Sequence, residues 1–515
     1  MSRLEKSAKN IALTMGSNIL DSVLGIVSRT VFIKVLGSGY LGLAGLLGNI
    51  LGLLSITELG IASAIGFSLY KPLATGDDRT VSALMTLYRK AYRVIAAIVF
   101  VCGIGLYFFL DFFVPPAEQP AEIGLAYFVY LANMVLGYLL SYKITLLNAD
   151  NHGYRLAPLT VGMSIVQTVA QVVFLLFFKS YAVYLAVLMV CTAARLIIGN
   201  RLISKWYPNV DFRSSEKLDA DTSHQIKRNI GGLVIARIGD YLVNSTDNLI
   251  ITKLVSLVAT GIYSNYLLIR NMVNGYISVL FGGISASMGN VVAVESDERK
   301  LEIFETLMFC AYFIYSFEAV CFMCLFNPFI GEIWLGPEYT FDTLTVAIIV
   351  INNFLTGMRI PLITMKGAAG KYMEDAWVPF GFAAVNLVSS ILLAKYMGVA
   401  GVFLGTIIGS LCTADWYRPI VIYKHVFHTS VRKYYKRYGM YVGLGLGLIA
   451  GTYWICSIIN TSNIWVDFIL QCLVAAAFPV VMNIVIFRKT PAFYYIKVMV
   501  KRMWKKTVVL FTKKG

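Results

Sequence analysis

Long apolar segments alternate with short polar connections along the whole chain. An α-helix needs about 20 apolar residues to cross the hydrocarbon core of a bilayer, and segments of that length recur about fourteen times. Their approximate limits are 11–36, 41–70, 91–114, 122–147, 156–178, 181–203, 229–256, 260–290, 303–327, 341–365, 376–396, 398–422, 439–459 and 464–487. The pattern predicts an all-α, polytopic membrane protein with about 14 transmembrane helices.

The seventh segment, 229–256, carries polar groups inside an apolar run. Arg237, Asp240, Asn244 and Asp247 follow one another at helical intervals, so they share one face of an α-helix. An unpaired charge in hydrocarbon costs on the order of 3 kcal/mol even on lenient insertion scales. We therefore expect this face to line a polar interior.

The seventh segment has a counterpart near the N-terminus. A shift of 219 residues matches Asn10 with Asn229, Ile11 with Ile230, Asp21 with Asp240, Lys34 with Lys253 and Gly42 with Gly261. We therefore expect two copies of a six-helix bundle, 1–203 and 229–423, joined by the polar cytoplasmic linker 204–228. Transporters built from parallel repeats hold their substrate at the interface of the copies near mid-membrane, so we expect a shared central cavity.

The end of the chain lies outside this six-plus-six scheme. Residues 424–487 contain an additional pair of helices, and 488–515 form a basic tail. In the tail, Lys497, Lys501 and Lys505 line one side of a helix while apolar residues line another. This pattern predicts a cytoplasmic amphipathic helix that binds anionic membrane lipid, with a specific binding partner as the alternative.

Composition and charge support the membrane assignment. Hydrophobic residues make up 58% of the chain, charged residues 14%, and the mean hydropathy is +0.71, which excludes an ordinary soluble protein. A net charge of +16 favours nucleic-acid binding in a soluble protein, but here the cations lie mainly between apolar spans. Positive-inside topology explains that placement and predicts a multi-pass protein of the cytoplasmic membrane with both termini in the cytoplasm.

Arginines inside predicted spans are the candidate substrate ligands. A guanidinium group binds carboxylate or phosphate through two parallel hydrogen bonds and keeps its charge. Several arginines around one cavity therefore suit an anionic substrate, particularly a diphosphate. The structural alternative is that each arginine pairs with a carboxylate and holds helices together. The candidate substrate-binding residues are Arg29, Arg237, Arg270 and Arg359.

Carboxylates inside the spans are candidates for coupling transport to a cation or proton, with static salt bridges as the alternative. The candidate ion-coupling residues are Asp21, Glu58, Asp240, Asp247 and Glu318. Asp415 and Arg418, three residues apart on the twelfth helix, are interpreted as a local pair. The proline at position 361 predicts either a functional break or a simple kink in the tenth helix.

Several other patterns predict packing or exclude enzyme classes. Gly401, Gly405 and Gly409 recur every four residues, which permits close helix approach and predicts a packing face. All eight cysteines lie in apolar stretches, which favours helix packing over a metal or redox site. The chain has no phosphate-binding loop of the ATPase type and no soluble stretch long enough for a glycosyltransferase site. We therefore expect a transporter without enzymatic activity and without a cofactor.

A distinctive group of motifs lies near the start of the chain, at Asn10, Ser28-Arg29, Lys34–Leu43 and Thr57–Ala64. In these motifs the chain resembles the polysaccharide transport family of the multidrug/oligosaccharidyl-lipid/polysaccharide (MOP) flippase superfamily. Where many members have Asp before Leu-Gly, this chain has Glu58, which keeps the carboxylate. Arg29 matches the first-helix arginine of the family pattern.

This resemblance implies a V-shaped pair of six-helix bundles that open alternately to the two faces of the membrane. It also implies undecaprenyl-diphosphate-linked oligosaccharide as cargo, moved from the inner to the outer leaflet for cell-surface polysaccharide biosynthesis, with a polysaccharide polymerase or glycosyltransferases as possible partners. One alternative is an ion-coupled exporter of drugs or organic cations from the same superfamily. The other is a scaffold for envelope assembly that transports nothing.

Overall fold

The computed structural model describes residues 3–55, 61–114, 119–120, 122–150, 152–214, 246–371, 374–491 and 493–494. Every regular element in these residues is a helix, and no strand occurs among them. Among the described residues, nine helical segments are long and apolar enough to cross a membrane. The prediction of an all-α, polytopic membrane protein is confirmed.

The chain separates by its internal contacts into two units, Met1–Val279 and Leu280–Gly515. The first unit contains α1 (Arg3–Leu36), α2 (Ser38–Leu54), α3 (Ile61–Thr75), α4 (Asp78–Tyr107), α5 (Leu110–Phe113), α6 (Ile123–Ala149), α7 (Ala157–Phe178), α8 (Tyr181–Trp206) and α9 (246–254). Helix α10 (Leu257–Val294) runs from the first unit into the second. The second unit continues with α11 (Asp297–Asn327), α12 (Thr343–Met358), α13 (Ile360–Ala369), α14 (Val378–Cys412), α15 (Ala414–His425), α16 (Arg432–Ile458) and α17 (Ile464–Phe487).

Most helices lie close to the predicted spans, and the larger differences are helix breaks and the start of α4, which begins at Asp78 where the predicted span begins at 91. The predicted second span, 41–70, covers α2 and most of α3. The predicted tenth span, 341–365, is broken at Arg359 into α12 and α13. Pro361 lies in the first turn of α13, where its missing N–H costs no helical hydrogen bond. The helix is interrupted next to this proline, as both alternatives predict, and a functional role for the interruption stays a prediction.

The centre of the second unit is formed by α11 and α12, whose apolar side chains are mostly buried. The Tyr312 ring of α11 stacks on Tyr441 of α16 with 4.7 Å between ring centroids, and its hydroxyl donates to the Asn483 side chain of α17 at 2.8 Å. Helices α7 and α17 instead expose large apolar side chains such as Phe177 and Leu473. Such exposure suits contact with lipid, because lipid tails are as apolar as these side chains and the contact has no hydrophobic cost.

Helix α14 contains a tight hairpin at Gly398, whose φ of 56° is the left-handed conformation that glycine adopts without strain. After the turn, Gly401 packs on the backbone at Leu393, and Gly405 packs on the backbone of Ser390. The Ser390 hydroxyl also donates to the Val402 carbonyl at 2.9 Å. The glycine face predicted for packing is confirmed, and the turn at Gly398 separates two packed helical arms where the sequence predicts two spans.

A second close approach joins α2 to the start of α10 within the first unit. A Cβ atom on Gly42 would overlap the Leu257 carbonyl oxygen, and a Cβ atom on Gly261 would overlap the Ser38 carbonyl oxygen. Ser38 and Leu257 differ by the same 219 residues as Gly42 and Gly261. The two contacts are therefore equivalent under the predicted repeat, and each copy contributes one glycine and one carbonyl group.

This symmetric contact predicts that Gly42→Ala destabilises the protein. The new methyl group has no room against the Leu257 backbone, and overpacking of this kind costs about 1–3 kcal/mol. Gly48→Ala is the matched control, because Gly48 lies on the same helix with open space around it. Ala gains about 1 kcal/mol over Gly in a helix, so we expect the control to hold or raise the apparent Tm in detergent. An unchanged Tm in Gly42→Ala would contradict the close approach.

Candidate functional site

A polar cavity of about 480 Å³ lies inside the first unit, between α1, α7 and α8. Its polar and charged lining comes from Asp21, Ser28 and Arg29 of α1, Tyr130 of α6, Ser164, Gln167, Thr168 and Gln171 of α7, and Tyr184, Thr192 and Arg195 of α8. The cavity therefore brings together two of the predicted site residues, Asp21 and Arg29, and surrounds them with neutral hydrogen-bonding groups. The shared cavity predicted between the two copies remains a prediction.

Helix α7 supplies a stripe of neutral polar residues to this cavity. Ser164, Gln167, Thr168 and Gln171 recur at intervals of three and four residues, which places them on one helical face. The Gln171 side chain is buried, and its Nε2 group has no hydrogen-bond partner among the described residues. Because a buried donor without a partner is costly, this amide is available to a polar ligand.

Arg29 is held by neutral groups. Its Nη1 atom donates to the Ser264 carbonyl oxygen at 2.6 Å, to the Ser264 hydroxyl at 3.2 Å and to Asn265 Oδ1 at 3.2 Å. In the described part of the chain, Arg29 forms no ion pair. The three bonds orient the guanidinium group from one side without neutralising it, so its charge is available to an anion in the cavity.

Two further charges lie in the same lining. Asp21 is exposed and precedes Arg29 by two helical turns, so both side chains occupy one face of α1. Arg195 of α8 is exposed and was not among the residues predicted for the site. The sequence carried a signal for it, because it is an arginine inside a predicted span, as Arg29 is. The α7 stripe was also missed, and its signal is the spacing of neutral polar residues.

The predicted residues of the seventh and eighth spans lie partly within the described chain. The Tyr263 hydroxyl hydrogen-bonds to Arg270 and is close enough to Asp247 for electrostatic interaction. The structure thus brings a predicted substrate-binding arginine and a predicted ion-coupling carboxylate to one tyrosine. Glu58, Arg237 and Asp240 lie outside the described residues.

In the second unit, Arg359 is buried in an ion pair. Its Nε atom lies 3.2 Å from Asp415 Oδ1, and its Nη2 atom donates to the Thr356 hydroxyl at 2.9 Å. The second oxygen of Asp415 accepts from the Ser410 hydroxyl at 2.8 Å. For Arg359 the structure therefore shows a pair with a carboxylate, which is the structural alternative to substrate binding. The assignment of Arg359 to substrate binding stays a prediction.

The interpretation of Asp415 and Arg418 as a local pair is wrong. Arg418 instead lies 3.2 Å from Asp375 Oδ2, and Lys366 donates to both oxygens of Asp375 at 2.8 and 2.9 Å. Close spacing along one helix does not decide the partner here, because Asp375 and Arg359 come from other segments of the chain. The buried carboxylates therefore tie α13 and α15 to neighbouring segments.

Glu318 is the remaining predicted ion-coupling residue. Its carboxylate is buried in α11 and accepts a hydrogen bond from Asn353 Nδ2 of α12 at 3.1 Å. A neutral amide donor stabilises an ionised carboxylate less strongly than a cation does. The contact joins the two central helices of the second unit, and a role in coupling stays a prediction.

Comparison with known proteins gives the fold and no closer relative. No protein-family model and no curated protein sequence matches the chain. A structure of the lipid II flippase MurJ in an inward closed conformation aligns with a TM-score of 0.61 and 14% identity over 93% of this chain and 99% of that chain. A mutant of the Vibrio cholerae MATE transporter VcmN aligns with a TM-score of 0.53 and 13% identity over 83% and 99%, respectively.

A third similar structure is that of a described member of the MOP superfamily. An inward-facing multidrug resistance MATE family transporter of the MOP superfamily aligns with a TM-score of 0.50 and 14% identity, over 81% of this chain and 93% of that chain. Identities this low show a shared fold alone. The chain has the fold of MATE transporters and MurJ.

The ion pair in the second unit predicts a strong effect of Asp415→Asn. Loss of the carboxylate charge leaves the buried Arg359 uncompensated, which costs about 3–5 kcal/mol. We expect a clearly lower apparent Tm in detergent, partly restored when Arg359→Met is added. Glu305→Gln is the control, because the Glu305–Arg437 pair is about one-third exposed and contributes only about 0–1 kcal/mol. Equal effects of the two single variants would contradict a structural role for the buried pair.

Proposed function

We propose that this chain is a transporter of the MOP superfamily that flips a polyprenyl-diphosphate-linked oligosaccharide across the membrane by alternating access. The observation that carries the proposal is the state of Arg29 in the polar cavity. Its guanidinium group is positioned by Ser264 and Asn265 and forms no ion pair among the described residues. A charged, oriented guanidinium group suits a diphosphate, which accepts two parallel hydrogen bonds.

The rest of the cavity supports a sugar-bearing anion. Among the described residues of the lining, the two guanidinium groups of Arg29 and Arg195 outnumber the one carboxylate, of Asp21, so this part of the lining is net cationic. The amides and hydroxyls of α7 and α8 are neutral donors and acceptors of the kind that sugar hydroxyls require. A volume of about 480 Å³ lies within the usual range for small-molecule sites.

The polysaccharide transport branch is the part of the superfamily that we propose for this chain. The N-terminal motifs around Ser28-Arg29 and Thr57–Ala64 resemble that branch, and a lipid II flippase shares the fold. The cargo is then undecaprenyl-diphosphate-linked oligosaccharide, moved from the inner to the outer leaflet for cell-surface polysaccharide biosynthesis. The distribution of cations supports a location in the cytoplasmic membrane with both termini inside the cell.

A second candidate function is supported by Asp21. This exposed carboxylate lies in the same cavity, and carboxylates can bind a coupling proton, a metal cation or an organic cation. MATE transporters share the fold. An ion-coupled exporter of organic cations is therefore the alternative. The exporter requires Asp21 to bind a cation in the cavity, whereas the flippase requires Arg29 to bind an anion there.

The proposal predicts that Arg29→Gln and Arg195→Gln abolish export while the protein still accumulates in the membrane. Removing one charged hydrogen-bonding partner of an anion costs about 2–3 kcal/mol, or about 30- to 100-fold in binding. The measurement is surface polysaccharide in cells whose own copy is replaced by the variant, normalised to protein in the membrane. Arg201→Gln is the control, since Arg201 is exposed on α8 and does not line the cavity.

The same cells separate the two candidate functions. Normal polysaccharide export in both cavity variants would contradict the flippase. Efflux of a fluorescent organic cation that is lost in Asp21→Asn and retained in Arg29→Gln would establish the exporter in its place.

A further inference from the structure

A second cavity, of about 530 Å³, lies in the first unit between the middle of α4 and the C-terminal parts of α6 and α8. It is separate from the α1–α7–α8 cavity and shares no lining residue with it. Its charged lining consists of Arg89, Arg93, Lys143, Arg213 and Asp211. Four cations and one carboxylate thus meet in one concave site, which we call the basic pocket.

The basic pocket is built by the chain segment that follows α8. The Asp211 amide donates to the Ser82 hydroxyl of α4 at 2.9 Å, which turns this segment back toward the helices. The Phe212 ring then lies 4.2 Å from Lys143 Nζ, and the Phe212 carbonyl accepts from Arg89 Nη1 at 3.4 Å. The wall of the pocket is therefore fixed by contacts with two helices.

The cations of the pocket have no acidic partner among the described residues. Lys143 donates to the neutral Ser204 hydroxyl at 2.5 Å, and none of the four cations forms an ion pair within the described residues. Asp211 is exposed, and its carboxylate accepts from the Arg213 amide at 2.8 Å. Positive-inside topology requires cations on one side of the membrane, but it does not require like charges to converge on one cavity. A bound anion relieves the repulsion that this convergence creates.

A neutral group in the lining also lacks a partner. The Asn200 amide oxygen is buried in the pocket wall without a hydrogen-bond partner among the described residues. The oxygen and nitrogen of such an amide are distinguished only by their contacts, so a half-turn places its NH₂ group at this unpartnered position in the wall. The amide then becomes a further donor to an anion.

The mouth of the pocket borders exposed apolar surface. Leu139 lines the pocket and is 40% exposed, and Val94, next to Arg93 on α4, is 59% exposed. An anion with apolar chains can place its head group against the cations and its chains along this surface. A soluble anion gains nothing from the apolar border.

We propose that the basic pocket binds the phosphate head group of an anionic membrane phospholipid. Basic pockets between transmembrane helices are suited to such head groups, and the two phosphates of cardiolipin can engage more than one of the four cations at once. The basic pocket shares no residue with the α1–α7–α8 cavity or with the basic C-terminal tail. The proposal is independent of the transported substrate.

The test uses the purified full chain in detergent with added cardiolipin, phosphatidylglycerol, phosphatidylcholine or pyrophosphate. The variant is Arg93→Gln with Arg213→Gln, because both side chains are exposed and neither holds the pocket wall. Arg201→Gln with Lys205→Gln is the control, since it removes the same charge from the exposed end of α8 outside the pocket. The readouts are the lipid-induced shift in Tm and the number of lipids retained in native mass spectrometry.

We expect cardiolipin to raise the Tm of the wild type and of the control, and the pocket variant to bind it about 30-fold more weakly. The variant should also lose one retained anionic lipid, and Arg93→Lys with Arg213→Lys should restore it. The basic tail is intact in every protein compared, so any difference in cardiolipin binding comes from the pocket. Full cardiolipin binding in the Gln variant would therefore overturn the proposal. Equal protection by phosphatidylcholine would show a site without charge selectivity, and equal protection by pyrophosphate would show a site for a soluble anion. Either result would overturn the lipid assignment.

Discussion

The cost of a charge in hydrocarbon is the constraint on which the structure depends. A guanidinium group inside a membrane protein must find a carboxylate, a set of neutral acceptors or water, and the choice decides what it can do. Arg359 has a carboxylate, Asp415, and the pair fastens helices in the second unit. Arg29 has the neutral oxygens of Ser264 and Asn265 and faces a polar cavity. Two arginines with the same sequence signal therefore have different capacities for an external anion.

Close backbone approach at glycine is the second constraint. Helices that meet in lipid gain little from burying apolar surface, so packing and weak contacts between backbones hold them together. The Gly42 and Gly261 contacts have this character, and they are related by the same shift that relates the acidic positions of the predicted repeat. Their equivalence supports an internal duplication, since two independent helices have no reason to exchange the same contact.

The sequence predicted the fold class and part of the site, each for a physical reason. Apolar runs of membrane-spanning length leave few alternatives to a helical bundle, and Arg29 was conspicuous because a charge is rare in such a run. Arg195 carried the same signal, whereas the stripe from Ser164 to Gln171 is neutral and hardly changes the hydropathy of α7. The partner of Asp415 could not be predicted, because it depends on which helices pack together.

Facilitated flipping of a lipid-linked sugar is the central claim for this protein. The most direct measurement reconstitutes the purified chain in liposomes that contain a fluorescent polyprenyl-diphosphate oligosaccharide, and follows its movement between leaflets with and without imposed ion gradients and membrane potential. The account predicts flipping well above that of protein-free liposomes under at least one of these conditions. A rate equal to that of protein-free liposomes under every condition would contradict it.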